Sequence, residues 1–68
     1  MVGSRGRVTG RIGPGLVGEV LLPVRGGVEA FYAYAADPAE TIETGTQVQV
    51  VDFTEPRAVY VRRWGSLR

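Results

Sequence analysis

The sequence contains no cysteine, no histidine and no lysine. Without cysteine there is no disulfide to supplement the core and no thiolate to hold a metal. Without histidine or lysine, the Ser-His and Ser-Lys pairs that activate a serine nucleophile cannot be assembled within the chain. Ser4 and Ser66 are therefore read as ordinary polar residues. The same shortage of ligands argues against a transition-metal site. Long apolar runs are missing too. No stretch approaches the roughly 18 consecutive apolar residues that a membrane-spanning helix needs. Residues 1 to 15 hold three Arg and five Gly but no apolar segment of the kind a signal peptide requires. A soluble piece of a longer membrane protein fits this pattern equally well. No catalytic, cofactor-binding or metal-ligating residue is assigned, and no enzymatic activity is expected.

What is present is modest in amount. The 68 residues make at most one domain, and a chain of this size buries only about 60% of its unfolded surface. Eight basic and seven acidic residues leave a formal charge of +1, so no strong overall field draws the molecule to nucleic acid. Every basic residue is Arg, a bias that, with abundant Gly, Ala and Val, reads most simply as a GC-rich coding signature. The carboxylates are scattered. Glu40 and Glu43, three apart, read as a solvated face and not as an acid/base pair.

The run from Ile42 to Phe53 organises the rest: an apolar residue leads into a turn at Gly45, then a strand with Val48 and Val50 on one face. Gly45 stands where the chain must reverse, a place that often needs φ > 0. Upstream, residues 4 to 12 alternate, with Gly6, Val8, Gly10 and Ile12 on one face and Arg5, Arg7, Thr9 and Arg11 on the other. Two inward glycines predict a strand that bends sharply or lies against another backbone. Gly13-Pro14-Gly15 turns the chain into a second strand, Gly18 to Val24, with Val20 and Leu22 inward and Pro23 at a strand end or edge. Gly26-Gly27 suits a hairpin turn with positive φ. The third strand, Val28 to Ala35, has Phe31, Ala33 and Ala35 on one face and Tyr32 and Tyr34 on the other. The small Ala partners assign the Phe31 face to the core, with the Tyr face inward as the open alternative.

Asp37-Pro38-Ala39-Glu40 is a helix-start signal, a cap followed by Pro and a Glu that can reach back. Only about one turn fits before Gly45. Strand four then runs from Gln47 to Phe53, Thr54 to Arg57 turns, and Ala58 to Arg63 closes the set with Val59 and Val61 inward and Tyr60 and Arg62 outward. The fold expected is all-β, a small five-stranded OB-fold (Greek-key) barrel with one short helical turn between strands three and four. An SH3-like barrel is the nearest competitor. Residues 1–63 form the domain, and the aperiodic tail 64–68 is expected to fray. Residues 13 to 18 also fit G-x-G-x-x-G, but a strand signal follows where a dinucleotide site needs a helix. Those glycines serve a turn.

The outward face carries the candidate site. Tyr32, Tyr34 and Tyr60 with Arg5, Arg7 and Arg11 form an aromatic and basic set, and both residue types are enriched at protein interfaces. The alternative is single-stranded nucleic acid, with Arg5, Arg7 and Arg11 on phosphates and Tyr32 and Tyr34 stacking on bases. It is the less favoured reading, because Glu19 and Glu29 lie nearby and the net charge is small.

The residues also carry a family resemblance. Gly3-Ser4-Arg5-Gly6-Arg7-Val8, the Gly-Pro-Gly turn and Gly18-Glu19-Val20 are similar to the opening of the NfeD-like C-terminal OB domain. Phe31-Tyr32-Ala33, the run Ile42 to Val51, and Val59-Tyr60-Val61 resemble the same family's second half, so the likeness spans residues 2 to 62. It implies a non-enzymatic domain that follows transmembrane helices outside this chain and faces the cytoplasm. It also implies stomatin- or flotillin-type (SPFH) scaffold proteins as partners in membrane microdomains, with self-association as a further possibility. Long members carry a separate Ser-Lys protease domain, of which this chain has no part. The Gly26-Gly27 pair and the run Phe31-Tyr32-Ala33-Tyr34 depart from the commoner pattern.

Overall fold

The apolar positions that alternate in the sequence turn inward onto one core. The computed structural model describes residues 2–65 and contains β1 (Arg5–Gly10), β2 (Gly18–Val24), β3 (Gly27–Ala35), β4 (Gln47–Thr54) and β5 (Ala58–Arg63). They close into a barrel in the order β1-β2-β3-β5-β4, with β1 completing the ring against β4. All pairs are antiparallel except β3 with β5. That is the OB-fold arrangement, an antiparallel meander followed by a hairpin that returns to its far edge.

Val8, Val20, Leu22, Val48, Val50, Val59 and Val61 are almost wholly excluded from solvent, as the two-residue period requires. Phe31 and Ala33 are buried as well, so the Phe31 face of β3 is the inner one. Ile12 and Ile42, outside the strands, complete the core from one end of the barrel and bond to each other through their backbones. Among the described residues no polar or charged side chain is buried.

One short strand serves two neighbours. β1 pairs with β2 through Arg7, Val8 and Gly10, and with β4 through Arg5, Gly6 and Arg7. Closing a barrel on so few residues demands a close approach, and it occurs at Gly6. A Cβ there would stand 2.1 Å from the Leu21 carbonyl oxygen and 2.7 Å from Leu22 Cδ2. The inward glycine is thus a steric requirement. Past Leu21, β2 has no β1 partner, and Pro23, which has no N–H to offer, occupies that unpaired stretch.

The turns refine the expectations. The β2–β3 loop is Arg25-Gly26, with φ of 78° at Gly26, while Gly27 already pairs with Val24 as the first residue of β3. The segment between β3 and β4 contains no helix. It makes two hydrogen-bonded turns, Glu40 N–H to Asp37 O at 2.9 Å and Thr46 N–H to Glu43 O at 3.2 Å, and in the first the Asp37 carboxylate accepts from Ala39 N–H at 3.0 Å. Asp37 thus acts locally, as Asp does in turns. Glu40, however, does not reach back to the cap. Gly45 has φ of 94°, and its N–H donates to Val8 O at 2.7 Å, so the expected reversal is there.

Glu40 instead ties the connector to the barrel. Arg63 Nε donates to Glu40 Oε2 at 2.7 Å, and Arg63 Nη2 to the Thr41 carbonyl at 2.7 Å. The pair is partly shielded, and the second bond fixes its geometry, so it exceeds a loose surface ion pair. Arg63→Ala is expected to lower stability by about 1 kcal/mol, as a charge-assisted bond in a half-exposed site would. A urea titration measures it; an unchanged midpoint would show that the pair is only decorative.

Candidate interaction surface

The outward residues sort into separate patches because the strand order decides which of them are neighbours. Tyr34 and Tyr60 face each other across the parallel β3–β5 pair. Their rings stack at 5.3 Å between centroids with 27° between planes. Such a pair adds about 0.5–1.5 kcal/mol beyond the area it buries, and it presents a rigid aromatic plate. Beside it, Gly13, Pro14, Gly15, Ala35 and Pro38 frame a shallow groove of about 160 Å³. Tyr32 lies two residues along the same face of β3 and is 62% exposed. The three tyrosines that the sequence singled out therefore share one continuous surface.

The arginines do not join them as a group. Arg11 lies beyond a register shift between Val8 and Gly10, and it lines a groove with Leu16, Val17, Glu19 and Tyr32. Thr9 donates to the Glu19 carboxylate at 2.9 Å, holding an anion beside that groove. Arg5 and Arg7 sit elsewhere, with β2 between them and β3. Arg7 is level with Leu21 and Ala30, and Arg5 is level with Gln49 on β4. A single tract joining all three arginines to the tyrosines is not formed.

Trp64 lies in the aperiodic tail, where no periodic signal in the sequence marks it for a site. Its backbone N–H donates to the Gln47 carbonyl oxygen at 2.9 Å, and the Arg5 guanidinium lies 4.5 Å from the indole ring centroid. That is the geometry of a cation–π contact. Residues 66–68, the rest of the expected frayed tail, lie outside the described residues. Arg57 makes a second such contact, 5.1 Å from the Phe31 ring, while pairing with Glu29 at 2.7 Å. Among the described residues, no group of three His, Cys, Asp or Glu side chains is placed to hold a metal ion. No helix among them is long and apolar enough to cross a membrane.

Comparison with known proteins places this geometry. The sequence model of the NfeD C-terminal domain matches residues 5–62. A search of curated proteins found no match. Among solved structures, the chain is similar to the soluble domain of the NfeD protein YuaF from Bacillus subtilis, at 28% identity and a TM-score of 0.78. That likeness covers 96% of this chain and 75% of the other. It is also similar to the soluble domain of a Corynebacterium glutamicum membrane protein implicated in regulation of membrane protease activity. There the identity is 29% and the TM-score 0.75, over 97% of this chain and 92% of that one. The C-terminal domain of stomatin operon partner protein 1510-C from Pyrococcus horikoshii is 31% identical, with a TM-score of 0.69. That match covers 94% of this chain and 88% of the other. With the family match running from β1 to β5 and these domains superposing along nearly all of the barrel, the chain belongs to the NfeD C-terminal domain family.

Proposed function

We propose that this barrel is the non-enzymatic protein-interaction module of an NfeD-type membrane protein. It hangs from transmembrane helices outside this sequence and faces the cytoplasm. Its partner is a stomatin- or flotillin-type scaffold protein, and the contact organises a membrane assembly. The observation that carries the reading is the exposed aromatic plate, Tyr34 stacked on Tyr60 with Tyr32 alongside. Aromatic rings held rigid before contact lose little entropy on binding, and tyrosine is among the residues that dominate interface energetics. The partner class follows by analogy with the Pyrococcus horikoshii relative, which is named for a stomatin operon. The absence of histidine and lysine accords with a role in recognition and not in nucleophilic catalysis.

The test is capture of this domain by the stomatin-type protein of the same organism, reconstituted in nanodiscs. Replacing both Tyr32 and Tyr34 by Ala should weaken capture by about thirtyfold, the size of a hot-spot loss. Far-UV circular dichroism should show the barrel intact, because both side chains point outward. Unchanged capture would remove these tyrosines from the contact.

A further inference from the structure

Around the barrel from the β3 tyrosines, across β1, β4 and the far end of β5, the fold gathers residues that the sequence scatters. Arg5 and Arg62 stand level with Gln49 on either side of β4, and Arg62 donates to the Gln49 amide oxygen at 2.8 Å. Arg7 follows on β1, and Trp64 comes in beside Arg5. Next to them opens a groove of about 340 Å³, lined in part by Arg5, Arg7, Trp64, Leu21 and Val28, with no carboxylate among its walls. The ion pairs among the described residues are Arg57–Glu29 and Arg63–Glu40, so Arg5, Arg7 and Arg62 keep their charge for an outside partner. The aliphatic rim is open: Val28 is 63% exposed, and Leu21 and Trp64 are also exposed.

From this juxtaposition we propose that the Arg5–Arg7–Arg62 face, with Trp64 and the Val28 rim, docks onto an anionic lipid bilayer surface. Three unpaired cations match acidic headgroups, and attraction to such a surface adds up cation by cation. An indole beside arginines suits the headgroup level, where one edge is wet and the ring is not. The exposed aliphatics enter the boundary of the acyl region, as the apolar side of an interfacial element does. A nucleic-acid strand is the poorer match. Strands stack bases on open rings, whereas Arg5 already covers one face of the only Trp, and the groups beside it are aliphatic. The setting at a membrane rests on the reading above, but the surface and its lipid are independent of the tyrosine plate.

Trp64 reports directly, since it is the one tryptophan in the chain. The purified 68-residue chain is titrated with phosphatidylcholine vesicles, with and without phosphatidylglycerol. Emission from Trp64 should shift to the blue and saturate only with the anionic vesicles. The shift should vanish at about 0.5 M salt, where screening acts within a few ångströms. Replacing Arg5 and Arg7 by Gln should cost about fivefold in affinity for each, while the Tyr32 and Tyr34 double substitution leaves vesicle binding unchanged. Equal binding to neutral vesicles, or none to anionic ones, would overturn the proposal. So would saturable binding of single-stranded oligonucleotides that the same arginine substitutions abolish, in the absence of vesicle binding. Should the double arginine variant fail to fold, the salt and lipid dependence of the unaltered chain still decides.

Discussion

Gly6→Ala is expected to lower stability by about 3 kcal/mol or more, and Gly6→Val to abolish folding. Overpacking a core with flexible side chains costs roughly 1–3 kcal/mol because neighbours can shift. Here the first obstacle is the Leu21 carbonyl oxygen, 2.1 Å from where the new Cβ would lie. Leu21 is held in register with both Arg7 and Ala30, so moving it disturbs two strand pairs at once. A chain of 68 residues has only about 3–10 kcal/mol of total stability at the usual 0.05–0.15 kcal/mol per residue. The alanine variant should therefore melt at least about 12 °C lower, taking 4–8 °C per kcal/mol for a domain of this size. A thermal melt followed by circular dichroism measures it. A variant melting with the unaltered protein would mean that β1 does not cross β2 so closely.

Ile42→Ala should cost about 2–5 kcal/mol, the range for removing a fully buried branched side chain without refilling its space. Ile42 is completely excluded from solvent although it belongs to no strand. Its N–H donates to Ile12 O at 2.8 Å and its carbonyl accepts from Ile12 N–H at 3.0 Å. The side chain closes one end of the barrel, so the loss cannot be absorbed by collapse from solvent. Equilibrium unfolding in urea should show a lower midpoint with the slope unchanged. Amide exchange at positions 12 and 42 should quicken before that of the strand amides, because this bridge stands alone. A loss under 1 kcal/mol would place Ile42 outside the core.

Much of this was legible because barrel interiors impose a two-residue period. Val20 and Leu22, Val48 and Val50, and Val59 and Val61 announce their inward faces without help from elsewhere in the chain. The close approach at Gly6 was legible for a similar reason: an inward position without a side chain implies a neighbour in its place. The connector misled. Asp37-Pro38-Ala39-Glu40 satisfies the local grammar of a helix start, but Arg63, 23 residues away, takes the Glu40 carboxylate. Local patterns cannot see a distant competitor.

The candidate surface was half legible. Tyr32 and Tyr34 share a face by parity, and Tyr60 joins them only because β5 pairs in parallel with β3, which is a matter of topology. Arg5, Arg7 and Arg11 also share a face by parity, yet the register shift after Val8 separates Arg11 from the other two. Trp64 carried no pattern at all. Its place follows from the end of β5 meeting the start of β4 and the side chain of Arg5.

The way β1 divides its length between β2 and β4 also sets how the chain must fold. No contiguous segment contains a finished sheet edge: the first strand waits for the fourth, and the third waits for the fifth. The closures bring together residues forty-four and twenty-six positions apart, Arg5 with Gln49 and Tyr34 with Tyr60. The entropy of both loops is spent before their contacts return anything. Barrels dominated by such distant pairings fold in milliseconds to seconds, well behind helical bundles of the same length. Emerging from the ribosome, the chain gains no lasting barrel until β5 is free, and the unpaired β3 edge stays open to other strands until then.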